Sequence, residues 1–372
     1  MPRRTTIDSL PTELLENIFE AGVRIPIALE EHYPRLPLFS KRPHVPLFAA
    51  TLSQVCLRWR NITLDTPYLW SFIHVTRSLE THRRLQSDVG RSLDWVLMYI
   101  ERSAALPLHL TIDATRIPVS KAVDLLAPCS SRWSSFVLLV SHVGNLPPIL
   151  PLLVHTNIPR LSYLSIMSDI YREGIVSYDP FVPFFIRATH KLATIRLTGV
   201  YIAWNALPLA NLQNLELHFT ARWPKFVDLQ RMFDASPRLC RLVVRDDLTS
   251  ILRHVDQPAG QPAIEIPNLT HLEVEVFRHR DDYMNVTGFM GLFSLPSLEQ
   301  LILRNLKVEE WMSITEIYDL PRNAFDHPVP PPARGRHSYV RRRTFPFLSQ
   351  VIATSYTSAP GRTVPPSNHR FF

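Results

Sequence analysis

The side chains with the means for nucleophilic, redox or metal chemistry begin with the cysteines Cys56, Cys129 and Cys240, which are far apart and have no CxxC spacing. That pattern argues against both a zinc site and a disulfide framework. The fifteen histidines are dispersed and form no H-E-x-x-H. Paired acids occur at Asp246-Asp247, Asp281-Asp282 and Glu309-Glu310. Neighbouring residues on a strand point to opposite faces, so such pairs do not make an acid/base couple. The chain has no G-x-x-x-x-G-K-[ST], G-x-G-x-x-G or G-x-S-x-G. Each of those motifs is tied to phosphate binding or to an activated serine. The expectation is a protein with no catalytic residue, no metal ligand and no cofactor, acting by binding.

A binding face is written in a repeat. The pattern L-x-x-L-x-L recurs from Trp133, Leu161, Leu192, Leu212, Leu239, Leu269 and Leu298, at spacings of 28, 31, 20, 27, 30 and 29 residues. Pro159, Pro237, Pro267 and Pro296 each stand two positions before a start. Period-two alternation predicts a strand in each copy, with helix-like pieces such as 227–235 as return segments. A single strand and helix cannot bury their apolar faces alone, so neighbours must stack. The residues between the leucines then line the open side of the strands. The candidate target-binding residues are Tyr163, Arg196, Glu216, His218, Arg241, Arg245, His271, Glu273, Glu275 and Arg304, a mixed-sign set suited to a protein segment rather than a polyphosphate.

The spacing and pattern resemble leucine-rich repeats, which implies an α/β solenoid over 106–320. Regular members carry Asn or Cys eight positions beyond the first leucine. Here the last six copies hold Asp169, Val200, Thr220, Asp247, Phe277 and Leu306.

Before the repeats lie two amphipathic stretches. Leu10, Leu14, Leu15, Ile18 and Phe19 follow helical spacing, Pro11 suits a first helical turn, and Gly22 offers a stop. Phe48, Leu52, Val55, Cys56, Trp59 and Ile62 form a second stripe, and Thr66-Pro67 opens a short turn carrying Leu69 and Trp70. Between them, 24–46 is an insertion whose Pro26, Pro34, Pro37, Pro43 and Pro46 argue against regular structure. Residues 1–75 make a small all-α module with few layers in which to bury its stripes, so it needs a neighbour; with the α/β repeats behind it, the chain as a whole is expected to be α+β.

The order Leu10-Pro11-x-Glu13-Leu14-Leu15-x-x-Ile18-Phe19, then Val55-Cys56-x-x-Trp59, then Leu69-Trp70 resembles an F-box. The resemblance implies that Leu10, Pro11, Leu14, Ile18, Val55, Cys56, Trp59, Leu69 and Trp70 bind a Skp-type adaptor. The chain would then be the substrate receptor of a cullin-RING ubiquitin ligase, with a target protein still to be named. The join Glu101-Arg102-Ser103 before Pro107-Leu108 is similar to the segment after the box in F-box proteins of mushroom-forming fungi.

The remaining segments are a connector and helix over 76–105, a Pro/Arg-rich loop over 321–344, and a last strand with a tail over 345–372. Leu93, Val96, Leu97 and Ile100 mark the buried side of the helix, and 345–352 the strand. The net charge of +7 is scattered except at Arg341, Arg342 and Arg343, which argues against nucleic acid as the main partner. The apolar run 136–154 contains His142, Asn145 and three prolines, unlike a membrane span. A cytoplasmic or nuclear protein is expected. Two other readings stay open: a scaffold that binds the adaptor without target turnover, and a nucleic-acid-associated protein using the arginine cluster.

Overall fold

In the computed structural model of the chain, every L-x-x-L-x-L segment is a parallel strand. The structure describes residues 7–32, 48–75, 94–113, 124–140, 158–168, 181–182, 191–202, 210–218, 223–246, 248–255, 257, 260–276, 286–318, 320 and 348–355. The protein is mixed α/β and divides into two compact units, Met1–Cys240 and Arg241–Phe372.

The first unit opens with α1 (Thr12–His32), α2 (Phe48–Leu52), α3 (Leu57–Asp65) and a 3₁₀ turn, Pro67–Trp70. Next come β1 (Phe72–Val75), α4 (Asp94–Arg102), β2 (Leu108–Asp113), β3 (Trp133–Val140), β4 (Tyr163–Ser168), β5 (Phe181–Val182), β6 (Thr194–Thr198), β7 (Tyr201–Ile202), β8 (Asn214–His218) and α5 (Phe226–Asp234). Strands β1, β2, β3, β4, β6 and β8 pair in that order, all parallel. The register aligns Ile73, Leu110, Phe136, Leu164, Ile195 and Leu215 in one row, all nearly inaccessible. A second buried row runs through Val75, Ile112, Leu138, Ile166, Leu197 and Leu217. Strands β5 and β7 form a separate small parallel pair.

The second unit holds β9 (Arg241–Asp246), α6 (Leu248–Val255), β10 (Ile264–Glu265), β11 (His271–Val276), α7 (Val286–Gly291), β12 (Phe293–Ser294), β13 (Gln300–Leu306), α8 (Val308–Tyr318) and β14 (Gln350–Ser355). Here β9, β11, β13 and β14 pair in parallel, with Leu242, Leu272, Leu301 and Val351 in register, and β10 pairs with β12. Strand β14 is the last strand read from the sequence, displaced to 350–355.

The recurring proline has a turn to make. In all four copies the N–H of the first leucine donates to the carbonyl three residues back: Leu161 to Ile158, Leu239 to Ser236, Leu269 to Ile266 and Leu298 to Leu295, at 3.1–3.3 Å. The proline is the second residue of each turn, where its fixed φ is already correct. The seventh position in two copies has left-handed backbone, Gly199 at φ 63° and Asn305 at φ 60°. Glycine and asparagine are the residues that enter this region at least cost. One step on, Val200 and Leu306 stand where regular repeats place Asn, and both are buried, so that position fills core here. The other four eighth-position residues lie outside the described residues.

Four expectations are corrected. Helix α1 does not stop at Gly22 but runs on through Pro26 to His32, so the insertion begins as helix and 33–47 lies outside the described residues. Gly22 serves packing: a Cβ there would strike the Phe48 ring. Phe72–Val75, placed by the sequence at the end of the all-α module, is an edge strand paired with β2. In α4 the buried residues are Val96 and Tyr99 whereas Leu97 is exposed, because the helix turns its aromatic residue toward Trp70. Leu93, the 321–344 loop and the Arg341 cluster fall outside the described residues.

Candidate docking surface on the N-terminal helices

The first helix carries two apolar stripes, not one. Leu15, Phe19 and Val23, at i, i+4 and i+8, are buried. Leu14 and Ile18, one position earlier in each turn and so rotated by about 100°, are 48% and 50% exposed. Helix α3 divides in the same way, with Ile62 inward and Leu57 and Leu64, seven residues apart, 72% and 40% exposed. Val55, just before α3, is 56% exposed, and Ile7 is 50% exposed. Eight large apolar residues are exposed among the described residues, and these six lie within the first 64 positions. Scattered single apolar residues are normal on a protein surface, whereas six on one small module make it the candidate docking surface.

The scaffold behind that face is fixed by named contacts. Arg58 donates from Nη2 to the Leu10 carbonyl, tying α3 to the start of α1. Cys56 caps α3, its Sγ accepting the Trp59 N–H at 3.5 Å. Trp59 is half-buried against Phe19, ring centroids 4.8 Å apart.

Among the adaptor residues implied by the F-box resemblance, Pro11, Leu14, Ile18, Val55 and Cys56 are exposed and Leu10 and Trp59 half-buried. Leu69 and Trp70 are corrected: both have no accessible surface. Trp70 donates from Nε1 to the Thr63 carbonyl at 2.7 Å, packs edge-on to Tyr99 at 4.9 Å, and has the Arg102 guanidinium 4.4 Å over its ring. Its work is to hold the helices to the sheet. The Glu101-Arg102-Ser103 join acquires a physical meaning at this point. Arg102 covers Trp70, while Ser103 Oγ accepts from Arg132, whose other nitrogens reach the Leu106 and Ile100 carbonyls. Arg132 thereby satisfies the Ile100 carbonyl at the end of α4, the usual need of a helix C-terminus, and the Leu106 carbonyl of the loop that follows.

The strand faces differ from the sequence expectation. Arg196, Glu216, His218, Arg245, Glu273 and Glu275 are all more than nine-tenths buried and are engaged with one another. In the first unit Glu216 lies 3.3 Å from Arg196 and 3.8 Å from His218, and His218 Nδ1 is 3.4 Å from Thr198 Oγ1. In the second unit Glu273 is the hub, 3.0 Å from Arg245, 3.0 Å from Arg304 and 3.9 Å from Arg241. Glu275 is 3.3 Å from Arg245 and accepts from Asn305 at 3.3 Å. Burial alone would raise the Glu273 pKa, but the Arg245 charge and the hydrogen bonds from Arg245 and Arg304 hold it below the usual carboxylate value. These charges are therefore committed within the fold rather than presented outward. Tyr163 is half-buried beside the Val137, Leu139 and Met167 cluster, His271 is exposed, and Arg241 and Arg304 remain at the partly open rim.

Sequence reasoning missed Ile7, Leu57 and Leu64 on the helices. The seven-residue spacing of the two leucines, opposite Ile62, was the available signal. It also missed the face of β1 to β3, where Phe72, His74, His109, Thr111, Ser135 and Val137 join Tyr163 around a shallow cleft. That omission comes from placing Phe72–Val75 in the helical module rather than in a strand.

Among the described residues no group of three His, Cys, Asp or Glu side chains is placed to hold a metal ion, and no helix is long and apolar enough to cross a membrane. No protein-family model matches the chain, and no curated protein is similar to it at a significant level.

Proposed function

We propose that this chain is an F-box substrate receptor, docking on a Skp-type adaptor through its N-terminal helices and recruiting a protein for ubiquitination through its repeat strands. The observation that carries the reading is the outward apolar set Leu14, Ile18, Val55, Leu57 and Leu64 on a module whose inner stripe is already packed. It agrees with the F-box order of residues in the sequence. The repeats, read as an irregular leucine-rich solenoid, supply a row of parallel strands on which a target can be held. The receptor itself breaks no bond; it raises the concentration of target near the ubiquitin-loaded enzyme.

Burial of a leucine or isoleucine contributes about 1.5 to 3 kcal/mol, and each 1.4 kcal/mol is about tenfold in affinity. Leu14→Glu with Ile18→Glu should therefore abolish adaptor capture while leaving the fold intact. The test is co-purification of the full chain with the adaptor and a cullin. Capture by the native chain and loss in the double variant are the expected results. Failure of the native chain to retain the adaptor overturns the reading. A scaffold that binds the adaptor without turnover is separated by assaying ubiquitin transfer to bound proteins.

A further inference from the structure

The chain holds 5 lysines, Lys41, Lys121, Lys191, Lys225 and Lys307, against 35 arginines. Lysine is among the commonest residues of soluble domains, so the imbalance belongs to this sequence. Part of it follows from the fold. Arg196, Arg245 and Arg304 lie 3.0–3.3 Å from strand glutamates, Arg102 covers the Trp70 ring, and Arg132 reaches two carbonyls and a hydroxyl. Each of these places uses the flat, five-donor guanidinium, which an ammonium does not reproduce.

Three exposed arginines of the first unit stand where a lysine would serve equally. Arg160 and Arg238 are the third residues of two of the proline turns that start the repeats, and the other two turns hold Asn268 and Ser297 at that place. The turn therefore makes no demand for a guanidinium. Arg238 donates from Nη1 to Asn211 Oδ1 at 2.9 Å, a bond open to an ammonium as well. Arg231, on α5, is 69% exposed and 3.8 Å from Asp228, an i, i+3 pair that a lysine also forms.

What separates the two side chains at such places is nucleophilicity. A lysine ammonium gives a proton to solvent, and its amine attacks the thioester that joins ubiquitin to the loaded enzyme. An amide bond forms, the C–S bond breaks, and the amine's second proton leaves with the thiolate. A guanidinium stays protonated and offers no such nucleophile. A receptor is held beside that enzyme at high effective concentration, so its own amines compete with those of the target. We propose that this chain is shielded from ubiquitin transfer to itself by carrying arginine at exposed positions where lysine would serve the fold. Among the described residues, Lys191 and Lys225 are the exposed lysines that remain, and Lys307 is half-buried. The proposal rests on the substrate-receptor reading and concerns how such a receptor outlasts its own ligase.

The test is ubiquitin transfer in a reconstituted ligase holding the full chain, the adaptor, a cullin and its RING subunit. Receptor-linked ubiquitin is measured over time, and the modified lysines are mapped by mass spectrometry. The native chain is compared with Arg160→Lys, Arg231→Lys, Arg238→Lys in one chain, and with the same three positions changed to glutamine. The lysine variant takes the exposed lysines of the described residues from two to five, so a rise of about twofold or more is expected, carried on the introduced lysines. The glutamine variant, which alters charge without adding an amine, should show no rise. Arg231→Lys alone, on a helix surface, serves if the triple variant does not fold. Introduced lysines that stay unmodified, a native chain modified as fast as the lysine variant, or an equal rise with glutamine would each overturn the proposal. Adaptor capture is read on the same samples: retained capture with any of those results sinks the shielding alone, and a native chain that does not capture the adaptor sinks the receptor reading and the shielding with it.

Discussion

On the N-terminal helices, apolar side chains face outward; on the strands of both units, charged side chains are turned in and paired. Leu57 is 72% exposed, whereas Arg196 and Glu275 are each 4% exposed. The usual assignment of apolar residues to the interior and charges to the surface is inverted in both places. On the helices the inner stripe is complete with Leu15, Phe19 and Val23, so the second stripe has no work inside the fold. On the strands the charges lie diagonally or directly opposite one another in the parallel register, close enough to neutralise each other as the sheet assembles. Exposure of the one and satisfaction of the other decide which region is free to bind.

The comparison is broken most forcibly where an apolar group is truly internal. Trp70→Ala removes a wholly buried ring with its bond to Thr63, and should cost about 3–5 kcal/mol, measured as a lowered urea midpoint. Glu273→Ala should come next at about 3 kcal/mol, since it strands Arg245 and Arg304. Replacing those two arginines with methionine in the same chain should recover most of that loss. Because the folded pKa of Glu273 is depressed, its stabilisation is present above the ordinary carboxylate value and is lost as pH falls through the lower folded value. His74 acts in a higher window. Its pKa falls from 6.5 to about 4 on folding, so the unfolded chain binds the proton more readily and stability declines as pH drops through that interval. The decline should be about 2 kcal/mol between pH 7 and 5 and should be absent in His74→Phe.

Smaller effects sharpen the distinction. Gly22→Ala gains helix propensity but meets the Phe48 ring, so a net loss of about 1 kcal/mol is expected. A double-mutant cycle with Phe48→Ala should show that loss to be a coupling between the two sites. The least effect on folding belongs to Leu14→Glu with Ile18→Glu, within about 0.5 kcal/mol per site. A larger loss would show that the outer stripe is core after all.

Much of the strand framework was legible because L-x-x-L-x-L specifies both the period and the face, and Pro-x-Leu specifies the turn that starts each copy. The short α5 was legible too, since Leu229, Met232 and Phe233 fall on one side of it and are buried. Strand β1 was not, because Phe72–Val75 is four residues long and is defined by pairing with β2, a contact between residues 37 apart in the chain (Phe72 with His109). The continuation of α1 past Gly22 was misread for a related reason: a glycine is a stop only when nothing nearby needs the space, and Phe48 needs it. In the candidate docking surface, helical spacing identified Leu14 and Ile18 with Leu15 and Phe19 but could not separate them. Leu69 and Trp70 were assigned outward although Tyr99 and Arg102, some thirty residues on, enclose Trp70.

By itself, the sequence determined the repeat, its turns, the α+β class and the apolar faces of its short helices, all of which come from local spacing and backbone preference. Only the tertiary structure decided which apolar residues were left over and which charges were used up. Those outcomes depend on partners distant in the chain: a leucine is exposed when another stripe has already filled the core, and a glutamate is silent when the neighbouring strand delivers an arginine within 3.0 Å.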